Sequence, residues 1–65
     1  MKPTKENIHQ LVDGEFYWVK RRGEWSIGRY DVKYKQFSFT DRSMSDIPTT
    51  EYVDPVSIKK HKHLN

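Results

Sequence analysis

Large apolar and polar side chains interleave most densely over residues 15–31, where Phe16-Tyr17-Trp18-Val19 and Trp25-Ser26-Ile27 flank the basic stretch Lys20-Arg21-Arg22-Gly23. Two runs rich in aromatic and β-branched residues around a glycine-terminated turn predict a β-hairpin. The length of the turn decides which side chains share a face. A two-residue loop, Arg22-Gly23, sets Lys20 opposite Trp25 and Trp18 opposite Ile27, and it divides the apolar residues between both faces. A three-residue loop, Arg21-Arg22-Gly23 with Gly23 left-handed, instead pairs Lys20 with Glu24, Val19 with Trp25 and Tyr17 with Ile27. This second register gathers Tyr17, Val19, Trp25 and Ile27 on one face, the expected core, and leaves Phe16, Trp18, Gly28 and Tyr30 on the other. A slip of one residue would exchange the faces. Burying a large side chain contributes roughly 1.5 to 3 kcal/mol, so the pattern should select a single register.

The flanking segments predict a small sheet with one helix. Thr4 is a candidate N-cap for a helix over residues 5–12, with Ile8, Leu11 and Val12 as a narrow apolar stripe and Asp13-Gly14 as its stop. Residues 36–40 alternate strictly, Phe37 and Phe39 against Gln36, Ser38 and Thr40, and predict a third strand beside the second. Residues 41–48 have the composition of a surface loop. A fourth strand is expected over 49–53, held to an edge or ended by Pro55, and Val56 and Ile58 resume the alternation. Residues 1–4 and 60–65 read as frayed tails. The fold expected is one α+β domain, a short N-terminal helix packed on a three- or four-stranded antiparallel meander, with a small SH3-like barrel as the alternative.

Sixty-five residues bury a small core, so each large apolar side chain matters. The absence of cysteine excludes a disulfide framework and a Cys-based zinc site. No apolar run approaches the ~18 to 20 residues that cross a bilayer, and the start lacks the apolar region of a signal peptide, so a soluble, cytoplasmic protein without a membrane partner is expected. Twelve basic and nine acidic residues give a net charge of +3, enough for solubility and too little to name a partner.

Catalytic chemistry is not signalled. Ser43 and Ser45 lie far in sequence from His9, His61 and His63, the carboxylates are scattered singly, and Gly14, Gly23 and Gly28 lack the spacing of a phosphate loop. His61 and His63 sit among lysines that repel a cation, so neither a metal nor another cofactor is expected. What remains is a surface of rings and cations. The candidate partner-binding residues are Phe16, Trp18 and Tyr30 on the open hairpin face, Lys20, Arg21 and Arg22 at the turn, and Lys59 and Lys60 near the end. Trp, Tyr and Arg anchor protein interfaces, which makes a protein partner the first reading and a second copy of the chain one form of it. Lysine and arginine beside exposed rings also suit nucleic acid, the second reading.

Asp13-Gly14-Glu15-Phe16-Tyr17-Trp18-Val19, then Gly23-Glu24-Trp25, Arg29-Tyr30-Asp31 and Phe37, resembles a pattern in short bacteriophage and prophage proteins of unknown function. These share an Asp-Gly-Glu-aromatic start and a strand ending at a Gly-x-Trp hairpin. Where many of them end in a tryptophan-proline segment, this chain has Tyr52-Val53-Asp54-Pro55-Val56. The resemblance implies a non-enzymatic phage-type accessory protein that acts by binding a host protein in the host cytoplasm. It transfers no catalytic residue.

Overall fold

A computed structural model describes residues 1–61, with backbone alone for Lys60 and His61. Five strands, β1 (Phe16–Arg21), β2 (Glu24–Asp31), β3 (Gln36–Ser38), β4 (Met44–Asp46) and β5 (Tyr52–Val53), make one antiparallel sheet in the order β4-β3-β2-β1-β5. The sheet curls into a half-barrel. Strands β1 to β4 form a meander, and β5 returns to the free side of β1, with Val19 opposite Val53 and Lys20 opposite Tyr52. Helix is confined, among the described residues, to the 3₁₀ turn Ile8–Gln10 and the four-residue α1 (Ile58–His61).

The hairpin turn corrects the expected register. Arg22-Gly23 alone joins β1 to β2, with φ of 53° and 75°, the mirror-image turn whose twist matches that of the strands. Lys20 therefore faces Trp25, Trp18 faces Ile27 and Arg21 faces Glu24, and the expected Lys20–Glu24 pair does not form. The reason lies on the concave side. There β2 offers Ser26 and Gly28 to Val19 and Tyr17 of β1, and at Gly28 a larger residue does not fit. A Cβ on Gly28 would stand 2.7 Å from Phe39 Cε1 and 3.2 Å from Phe37 Cβ. The left-handed Arg22 is sterically unfavourable for a residue with a Cβ. Helping to hold the turn, the Gly23 amide donates to Glu51 Oε1 at 2.9 Å.

Burial follows from this parity. Tyr17 and Val19 of β1 are core as expected, but their companions are Tyr30, Phe37, Phe39 and Val53, closed over by Ile8 and Leu11. The rings of Tyr30 and Phe37 lie 5.4 Å apart at 49°. Trp25 and Ile27, expected inside, are exposed, and Tyr30, expected on the open face, is 1 % exposed. The alternation of residues 36–40 holds: Phe37 and Phe39 are buried together.

The segment before the sheet does not become an α-helix. Thr4 and Asn7 bond reciprocally, the Thr4 amide to Asn7 Oδ1 at 2.8 Å and the Asn7 amide to Thr4 Oγ1 at 3.0 Å, while Asn7 Nδ2 donates to the Lys2 carbonyl. An asparagine whose side chain satisfies backbone groups in this way favours a turn over a helix interior. Leu11 then turns extended, and the Val12 amide donates to Tyr17 Oη at 2.8 Å rather than back along a helix. Only Ile8 and Leu11 of the expected stripe are buried, and Val12 is exposed. Asp13-Gly14 is the turn expected, with Gly14 at φ 83° and its amide donating to the Tyr30 carbonyl.

Residues 41–48, expected as a loop, contain β4, whose buried Ser45 lies opposite Phe37. The hydroxyls supply what apolar residues do elsewhere. Ser45 Oγ lies 2.7 Å from Thr50 Oγ1, which donates to the Asp46 carbonyl at 2.7 Å and ties β4 to the turn before β5. The fourth strand expected over 49–53 shortens to Tyr52–Val53 and pairs with β1. The chain start, expected to fray, is pinned: the Met1 amine donates to the Val53 carbonyl at 2.6 Å, and the Val53 amide donates to the Met1 carbonyl at 2.8 Å. Of the expected tail, residues 60 and 61 belong to α1, and residues 62–65 lie outside the described part.

Candidate functional site

Strand parity builds the site. Because the turn has two residues, Phe16, Trp18 and Lys20 of β1 share the convex face with Trp25, Ile27 and Arg29 of β2 and Tyr52 of β5. They form rows across the sheet: Tyr52-Lys20-Trp25 nearest the turn, Trp18-Ile27 in the middle, and Phe16-Arg29 beyond. Trp18 is 39 % exposed, Trp25 48 % and Phe16 49 %, and Ile27 and Tyr52 are exposed to a similar degree. Scattered apolar residues are ordinary on a surface, but here both tryptophans of a small chain share one contiguous exposed face. Trp25 and Tyr52 meet edge to face, centroids 6.3 Å apart at 69°.

A shallow depression continues this face where α1 approaches β1, lined by Gly14, Glu15, Phe16, Ile27, Ile58 and Lys59. Arg29 reaches its rim, for its Nη2 lies 3.6 Å from where a Cβ on Gly14 would stand. Lys20, Arg22, Arg29 and Lys59 surround the rings. No carboxylate among the described residues lies within ion-pair distance of any of them; the ion pair among those residues joins Arg21 to Asp41 at 3.9 Å, on the other side of the sheet.

Arg21 plays a different part from the one its place in the turn suggests. Its guanidinium stacks over the Phe39 ring, 3.6 Å from the centroid, so it caps the concave core. Asp41, its partner, accepts hydrogen bonds from the Ser43 hydroxyl and amide, and these bonds, more than the nearby guanidinium, hold the carboxyl below its ordinary range. Tyr30 is removed from the site by burial, which also pushes its phenol up, with Asp13 and Asp31 adding to the effect. Its hydroxyl has no hydrogen-bond partner among the described residues.

Of the sequence candidates, Phe16, Trp18, Lys20 and Lys59 come together on or beside the convex face, and Arg22 stands at its turn end. Lys60 follows in α1, its side chain outside the described part. Trp25, Ile27, Arg29, Tyr52 and Ile58 were missed. The Arg22-Gly23 turn carried the information for the first three, because a two-residue loop puts Trp25, Ile27 and Arg29 on the side of Phe16 and Trp18. Among the described residues no three His, Asp or Glu side chains gather where they could hold a metal ion, and no helix is long and apolar enough to cross a membrane. No family model, curated protein or solved structure matches the chain.

Proposed function

We propose that this is a non-enzymatic binding protein that contacts a partner protein through the convex face of β1, β2 and β5. The observation that carries the reading is the placement of Phe16, Trp18, Trp25, Ile27 and Tyr52 together in solvent while the concave face holds the core. Interfaces concentrate their energy in such a cluster of rings and arginine, rimmed by polar groups. The resemblance to short phage proteins extends the reading to a host protein met in the host cytoplasm. The return of β5 to β1 after a four-stranded meander favours the alternative, a small SH3-like barrel, over the α+β domain first expected.

The nucleic-acid reading draws on Lys20 and Arg29 among the rings. A stacking surface needs flat ring faces in series, whereas Tyr52 and Trp25 are nearly perpendicular and Ile27 interrupts the rest. The two readings separate by affinity capture from a bacterial lysate with wild type, Trp18→Ala and Trp25→Ala as baits. A single partner species lost with both variants, while their circular dichroism is unchanged, supports the proposal. Capture that persists in both variants refutes it. Retention of nucleic acid that vanishes steeply with salt transfers the face to the second reading.

A further inference from the structure

The convex face selects its occupant by charge as well as by shape. Resting on the protein-binding reading, we infer that the segment docking there is acidic and amphipathic, with an apolar side chain seated between Phe16, Ile27 and Ile58 and carboxylates meeting Arg29 and Lys59. Three observations lead to this. The depression is floored by apolar groups, so it suits an aliphatic or aromatic anchor. Lys59 lines it and Arg29 reaches Gly14 at its rim, and Lys20 stands further along the same face between Tyr52 and Trp25. No carboxylate among the described residues makes an ion pair with these cations, in contrast to Arg21, which has both Asp41 and the Phe39 ring.

Opposing charge is present on this face but sparser: Asp54, whose amide donates to the Trp18 carbonyl, stands beside that residue with its carboxylate engaged by the Val56 amide. Glu15 also lines the depression and is half-buried. Asp31 and Asp46 occupy the same convex side at its far end, in the row through Gln36, away from the rings. Glu51 is engaged at the turn by the Gly23 amide. Around the rings Lys20, Arg29 and Lys59 outnumber Glu15 and Asp54, so an acidic segment meets more attraction there than a basic one. Charge arranged this way selects among partners and speeds their encounter more than it adds to tightness.

Both tryptophans lie on this face, so the intrinsic fluorescence of the full chain reports its occupancy directly. The probes are a synthetic peptide alternating Glu and Leu, its Lys and Leu counterpart, a Glu and Ser peptide without an anchor, and an oligothymidylate of equal length. The Glu-Leu peptide is expected to give a saturable change, with the Glu-Ser and Lys-Leu peptides much weaker. In Arg29→Glu/Lys59→Glu the Glu-Leu peptide should lose affinity roughly tenfold, from two exposed attractions turned to repulsions, and the Lys-Leu peptide should gain. Arg29→Gln/Lys59→Gln, a milder change, should fall between. Equal binding of the Glu-Leu and Lys-Leu peptides, or indifference to both double variants, overturns the inference. So does absence of any peptide response when a Trp18-dependent partner has been captured, and that outcome leaves the protein-docking reading standing. Preference for the oligothymidylate overturns both.

Discussion

The register of the hairpin rests on one atom that is missing. Gly28 faces the concave core, and an alanine there would bring its methyl to 2.7 Å from Phe39 Cε1 and 3.0 Å from Cζ. Carbon atoms meet comfortably at about 3.5 to 4.0 Å, so the ring must move by the better part of an ångström, and the Arg21 guanidinium stacked on its face must move with it. Overpacking of this kind costs roughly 1 to 3 kcal/mol. Against it stands the reduced freedom of the unfolded chain when glycine becomes alanine, about 0.4 to 1 kcal/mol in favour of the variant. Gly28→Ala should therefore lose about 1 to 2 kcal/mol net, a fall in Tm of roughly 4 to 16 °C for a domain of this size. The assay is urea and thermal unfolding followed by circular dichroism. Phe39→Leu supplies the second arm of the cycle: in that background the alanine should cost much less, because the ring clash is gone and only the 3.2 Å approach to Phe37 Cβ remains. In the alternative register, with a three-residue loop, Gly28 lies on the open face and alanine stabilises. A Gly28→Ala protein as stable as wild type or more so would refute the two-residue turn and, with it, the gathering of both tryptophans on one side.

Other consequences can be measured independently. Single-tryptophan proteins made by Trp18→Phe and Trp25→Phe should both show an indole reached by a soluble quencher, and one shielded indole would contradict the convex face. Thr50→Val removes the hydroxyl that bonds the Asp46 carbonyl and meets Ser45, and should cost about 0.5 to 1.5 kcal/mol in urea unfolding, since Ser45 keeps the Thr49 hydroxyl and the Asp46 carbonyl keeps the Thr50 amide. Ser43→Ala should raise the Asp41 pKa toward the ordinary carboxylate range in an NMR titration, because Ser43 supplies the largest part of its lowering. With its folded pKa below the unfolded one, Asp41 contributes stability above the unfolded value that is lost as pH falls through the folded value, and this dependence should shrink in Ser43→Ala. Tyr30 has the opposite sense: its raised pKa makes stability fall as pH climbs above 10, and an ultraviolet difference titration should show one phenol ionising late.

The alternation in β1 and around Phe37 and Phe39 was legible because each strand announces its own two faces through its own residues. What alternation cannot say is how consecutive strands are phased, since the turn sets that. Gathering the apolar residues on one face favours the three-residue loop over Arg22-Gly23, and that loop puts Trp25 inside. Both expectations were local and reasonable, and the tight space over Gly28, a fact about Phe39 eleven residues away, outweighed them. β4 was illegible for another reason: Met44-Ser45-Asp46 buries a hydroxyl, and its partners, Thr49 and Thr50, become visible only when the chain has turned. The N-terminal stripe was read correctly at Ile8 and Leu11, but the reciprocal Thr4–Asn7 bonds stopped it at one turn. The candidate site was thus half visible, its β1 residues found and its β2 residues displaced by the slip.

The two-residue turn leaves the ribbon with a division of labour that bears on how such a protein diversifies. Odd positions of β1 and even positions of β2 hold the molecule together, while the intervening ones are answerable to whatever lies outside. Under the proposed function, drift at Phe16, Trp18, Trp25 or Ile27 would retune recognition without the folding penalty that a pocket dug into the interior would impose. A combinatorial library randomised at those four positions should be rich in folded members, a natural starting point for evolving new specificities from this scaffold.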